Sequence, residues 1–178
     1  MRVYLPATMR TLRMLATDDE LGPAPLTAFA VTAGLREFYE DDDSEALEYA
    51  ALMEAARASL RLLDADPLVV RRRVVVVAEV DGSALGLRPE LDRAAVRVAD
   101  PVRRAQVRAV HVDDAAAEES VAAAAARVLE ADLGSQDAQF VVDGAEGNEL
   151  GWYAPQELDA LVELTPEHRR PPAAGQPR

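Results

Sequence analysis

The chain has 178 residues, 49% of them hydrophobic, and a formal net charge of -13 at pH 7, which is enough for one domain with an ordinary core. It contains no Cys and no Lys, and this excludes thiolate nucleophiles, disulfides, zinc-thiolate sites, lysine Schiff bases and the P-loop lysine. The acidic balance disfavours nucleic acid and anionic lipid as partners, and no run approaches the ~20 apolar residues of a membrane span, so a cytoplasmic protein with no membrane partner is expected.

Read in chain order, "RVYLPA" is a short strand, and "TMRTLRMLATDDE" a helix with Thr8 as its N-cap. "GPAPLTAFAVT" is a proline-rich turn feeding a strand, and "AGLREFYE" a short helix. Residues 44 to 64 form the longest helix, capped by Ser44 and ended before Pro67. "VVVVAEV" hardly alternates and reads as a central strand covered on both faces. "AAVRVAD" and "AQVRAVHV" are two further strands, separated by Pro101. "DDAAAEESVAAAAARVLEADL" predicts one Ala-rich helix from an Asp cap. Residues 134 to 148 read as a Gly- and Asp-rich loop in which "QFVV" is a strand candidate, and "ELGWYAPQELDALVEL" closes the domain as strand and helix. The order predicts an α+β fold over residues 1–164, a mixed sheet with helices packed on it and ferredoxin-like βαβ units as one arrangement. Residues 165–178, Pro-rich and polar, read as a disordered tail.

The acidic run "EFYEDDDSEALE" suits a helix start better than a cation site. Adjacent aspartates do not converge on one ion, and the alternating ligands and central glycine of a calcium loop are missing. At 100° per residue Tyr49, Leu52, Ala56 and Leu63 share a helix face, Glu54, Arg57 and Arg61 lie opposite, and Glu48 falls on the edge of the apolar face, where a partly shielded carboxylate is a candidate acid or Arg partner. His111, in "VRAVHVDD", shares a strand face with Val107, Ala109 and Asp113, and a His with an Asp two residues on is a candidate oriented base. No Ser lies in a nucleophile elbow, and a lone His gives no metal constellation, so no metal or cofactor is expected.

Between Arg71 and Arg108 nine arginines face five acids, so that segment is basic within an acidic chain. Arg71, Arg73, Arg97, Arg104 and Arg108 are candidate ligands for phosphate or carboxylate. Alternation splits the run, and ion pairing with the chain's own acids is the competing role. Trp152 and Tyr153 point to opposite faces of an extended "GWYAP", one toward the core and one outward, and their joint exposure would mark an interface.

The segments "MRVYLPAT", "GPAPLTAFAVTAGLREFY", "LEYAALMEAARASLRLL" and "LGWYAPQEL" resemble those of a small bacterial family from high-GC Gram-positive organisms that is catalogued as a domain of unknown function, over about residues 1–164. The resemblance implies a bacterial cytoplasmic single domain and no particular chemistry. Three functions are therefore expected in this order: a noncatalytic binding or protein-interaction domain, working as a homodimer or with a protein partner; an enzyme using carboxylates and Arg, with Glu48, His111 and Asp113 as its residues; and a phosphate or nucleic-acid binder through the Arg-rich strands, which the acidic charge makes the least favoured.

Overall fold

A computed structural model describes residues 1–39 and 43–167. Asp41, Asp42 and His168 therefore lie outside the described residues, as does all of the expected tail after Glu167. Among the described residues nine strands form two sheets: β1 (Arg2–Ala7), β2 (Glu20–Leu21), β3 (Leu26–Phe29), β4 (Val74–Glu79), β5 (Leu85–Leu87), β6 (Ala95–Val98), β7 (Val102–Arg103), β8 (Val107–Val112) and β9 (Gly151–Tyr153). Seven α-helices accompany them: α1 (Met9–Asp18), α2 (Ala33–Tyr39), α3 (Ser44–Ala65), α4 (Glu118–Ala125), α5 (Val128–Asp132), α6 (Gln136–Glu146) and α7 (Leu158–Leu164).

The main sheet has the order β5-β6-β3-β1-β4-β8-β9, and β2 pairs with β7 in a small second sheet. The class is α+β as expected, but every described pairing is antiparallel. The expected mixed sheet is thereby corrected to an antiparallel one, whereas the expected ferredoxin-like βαβ unit is present in split form: β3 and β4 both run antiparallel to β1 between them and are joined through α2 and α3. β1 and β3 are antiparallel neighbours, so the return made by α1 must be followed by a second reversal, through β2 and its proline-rich turn.

Two apolar layers enclose the sheet. One face (Val3, Leu5, Val74, Val76, Val110, Val112) packs with Met9, Leu12 and Leu15 of α1 and Leu158, Leu161 and Val162 of α7. The other (Tyr4, Phe29, Val75, Val77, Ala109) packs with Leu47, Ala51, Ala55 and Ala56 of α3. β4 feeds both layers, which is why its sequence does not alternate. Farther along, Leu60 and Leu63 of α3 join Val121, Val128, Ala138 and Val142 in a helical lobe of α4, α5 and α6. No described helix is long and apolar enough to cross a membrane.

Local chemistry explains the elements. Thr8 caps α1 through a reciprocal pair with Thr11, and Asp19 ends it in a left-handed conformation at φ 57°. Asp43, not Ser44, caps α3, its side chain accepting the Glu45 N–H at 3.0 Å. Tyr49 stands outside the buried face of α3, 62% exposed, because the small side chains of Ala51, Ala55 and Ala56 let the helix settle on the sheet along a different line.

The expected single helix after Asp113 is divided. Asp114 caps a 3-10 turn at Ala115–Ala117, and α4 and α5 follow with a break at residues 126–127. The loop expected at residues 134–148 is a helix, α6, begun by Ser135, whose hydroxyl accepts the Ala138 N–H. Its Ala138, Val142 and Ala145 form one apolar face that the lobe buries, and this packing overrides the Gly and Asp content. Thr165 is buried and Glu167 bonds to the domain through Val70 N–H and Arg10, so packed structure extends past residue 164.

Candidate functional site

A cleft of about 420 Å³ opens where the N-terminal half of α3 leaves the sheet. Strand register assembles it. Tyr4 opposes Val77, Arg2 opposes Glu79, Val77 opposes Ala109, and His111 opposes both Val75 and Trp152. A cross-strand stripe thus carries Arg2, Tyr4, Ala109, His111 and Trp152 to one face, while α3 contributes Glu48, Tyr49 and Leu52.

Arg108 enters the same cleft through an irregularity. Val77 pairs with Ala109 but Ala78 pairs with Val107, which leaves Arg108 as the extra residue of a bulge. Val107 accordingly sits in the α1-side core while Ala109 faces α3. Strict alternation, which places Val107 with Ala109 and His111, is thus corrected, and the bulge aims the Arg108 guanidinium at the cleft.

Glu48 is the polar hub. Its Oε2 accepts from Arg2 Nη1 at 2.7 Å and from the Tyr4 hydroxyl at 3.2 Å. Burial, reinforced by the Glu48 charge, pushes the Tyr4 phenol up to about 12. The bond to Glu48 raises Arg2 further above its ordinary value. Arg108 donates to Glu79 at 3.2 Å, so the two guanidiniums of the cleft are matched by two carboxylates. His111 has no hydrogen-bond partner among the described residues, and burial lowers its pKa, which keeps the ring a neutral donor and acceptor near pH 7. A His depressed in the folded state holds full stability above its unfolded value near 6.5 and loses it as pH falls below that value. Urea midpoints measured at pH 7.5 and at pH 5.5 are expected to fall on acidification less in His111→Gln than in the wild-type protein.

The other candidates lie elsewhere. Asp113 does not line the cleft. It is buried in a two-pronged ion pair with Arg73, with Nε and Nη2 each 2.8 Å from its oxygens. Arg71 is buried and donates to the carbonyls of Leu63 and Asp66. Arg104 reaches Asp159 at 2.8 Å, and Arg97 is exposed on β6, opposite Thr27. Together with Arg108, which pairs with Glu79, the five candidate arginines do not converge, and all but Arg97 serve internal contacts. Trp152 is 61% exposed while Tyr153 packs against the α1-side core, so the pair divides as an extended strand requires and is not jointly exposed.

Arg2 and Tyr4 are the residues that sequence reasoning misses. Their contribution depends on β1 lying beside β4, and the only local signal is the aromatic within "RVYLPA". No group of three or more His, Asp or Glu stands in position to hold a metal among the described residues. No curated protein and no solved structure matches the chain. A family model does match residues 1–162, and on that coverage the chain belongs to the family of unknown function DUF6912.

Proposed function

We propose that this is a noncatalytic binding domain whose site is the cleft between α3 and β8–β9, and that its ligand is a small flat ring compound bearing both hydrogen-bond donors and acceptors. The observation that carries the reading is the pairing of two exposed aromatics, Tyr49 and Trp152, with a polar lining whose two arginines are each held by a carboxylate, Glu48 within the cleft and Glu79 beside it. Arg2 and Arg108 supply donors, Glu48 supplies an acceptor and His111 supplies one of each. Exposed aromatic faces favour planar partners by stacking, and Trp is enriched at binding hot spots.

Against catalysis stands the state of the reactive groups. Tyr4 is held up to about 12 and is a poor nucleophile at neutral pH. The Glu48 carboxylate already accepts two hydrogen bonds, and no Ser or Thr lines the cleft.

Trp152 is the only tryptophan, so its fluorescence lifetime reports occupancy directly. Saturable quenching by at least one of adenosine, guanosine and riboflavin is expected, weakened tenfold or more in Glu48→Gln. An unchanged lifetime with all three compounds would count against the assignment.

A further inference from the structure

A second cleft, of about 580 Å³, lies on the other flank of α3, toward its C-terminal half. Pro6 of β1 and Phe29 of β3 contribute apolar surface to it, together with Ala58 and Leu62 of α3 and Leu91 ahead of β6. Leu62 and Leu91 are 39% and 56% exposed. The polar lining is Thr27, Glu54, Arg57, Arg61 and Asp92.

Both arginines are already engaged. Arg57 donates to Asp132 and Gln139 at 3.0 Å each and pairs with Glu146 at 3.5 Å. Arg61 grips Asp132 through Nε at 2.7 Å and Nη2 at 3.1 Å. Asp132 and Glu146 therefore match the two guanidinium charges, and Glu54 and Asp92 are left in excess. Asp92 Oδ1 accepts the Ala94 N–H at 2.7 Å. Glu54 accepts no hydrogen bond from any described residue, although it is half-buried. Burial first, then the Asp92 charge, raises its carboxyl pKa, against the pull of Arg57.

A half-buried carboxylate beside apolar surface, with a second carboxylate acting on it, is relieved by a cation that brings N–H donors and covers that surface. An anion meets excess negative charge here, and a neutral apolar molecule leaves both carboxylates desolvated without compensation. We propose that this cleft is a second binding site, taking a protonated alkylamine with its ammonium at Glu54 and Asp92 and its chain along Pro6, Phe29 and Leu62. The site is separate from the cleft that holds Trp152, so it stands or falls independently of the function proposed above.

The test is an amide ¹H–¹⁵N titration of the full chain with hexylammonium chloride. Saturable shifts at Phe29, Ala58, Leu62 and Leu91 are expected, with affinity at least tenfold weaker in Glu54→Gln and no response to hexanoate. Affinity should also fall as pH drops into the carboxylate range and Glu54 takes up its proton. Glu54→Gln keeps the side-chain shape, and Asp92→Asn retains an acceptor for Ala94, so both variants are expected to fold. Absence of saturable shifts would overturn the proposal. So would equal shifts with hexanol, affinity unchanged in both variants, or a response confined to a lysine-rich peptide.

Discussion

Asp113→Ala is expected to lower folding stability by about 3–5 kcal/mol, the range for breaking a buried ion pair from one side. Both side chains of the pair are 0% exposed. Asp113 Oδ2 accepts the backbone N–H and the Nε of Arg73, each at 2.8 Å, and the Asp113 N–H returns a bond to the Arg73 carbonyl. Arg73 Nη2 also donates to the Asn148 carbonyl at 2.9 Å, and the Asn148 side chain reaches Ser120 on α4. The pair thus ties the start of β4 and the end of β8 to the helical lobe. Removing the carboxylate strands a guanidinium whose Nη1 is already buried without a partner among the described residues. Replacing both members, Arg73→Met with Asp113→Leu, is expected to recover most of the loss, because no buried charge is then left unmatched. Urea unfolding of the single and double variants beside the wild-type protein checks this. A single-variant loss under 1 kcal/mol would contradict the structural role and return Asp113 to the list of candidate functional carboxylates.

Ser59→Ala is expected to cost about 1–3 kcal/mol, the desolvation penalty of orphaned buried polar groups. The Ser59 hydroxyl is fully buried in α3, donates to the Ala7 carbonyl at 2.7 Å and accepts the Val74 N–H at 3.1 Å. It joins the long helix to the opposed ends of β1 and β4, where Ala7 faces Val74. The variant loses both bonds and gains none. Faster hydrogen exchange at the Val74 amide, beyond the change that global destabilisation produces, would locate the loss there. A variant with wild-type stability and unchanged Val74 exchange would show that the hydroxyl is dispensable.

Much of this frame is legible in the sequence, for local reasons. Thr8 ahead of helically spaced apolar residues marks a helix start, the run of valines in β4 marks a strand buried on both faces, and "GWY" marks a strand whose two aromatics must diverge. α6 is not legible in the same way. Its helix rests on three apolar positions whose value appears only when α4 lies beside them, while its glycines and aspartates argue locally for a loop. The sheet's antiparallel pairing likewise depends on partners distant in the chain.

The cleft divides along the same line. Glu48, His111, Arg108 and Trp152 can each be named from residue type and local pattern. That they share one cavity, with Arg2 and Tyr4 completing it, follows from the register of four strands and from one bulge. Asp113, two residues from His111, looks from sequence like its partner. It turns instead to Arg73, because a buried guanidinium demands a carboxylate more strongly than an imidazole does.

The most direct measurement is native mass spectrometry of the protein purified without dialysis from the cells that produce it, beside a Trp152→Ala, Arg2→Met variant prepared identically. A small-molecule adduct of a ring compound on the wild-type chain, absent from the variant, is the predicted result. A wild-type chain that carries no adduct, or one retained equally by the variant, would contradict the claim that the cleft between α3 and β8–β9 is the binding site.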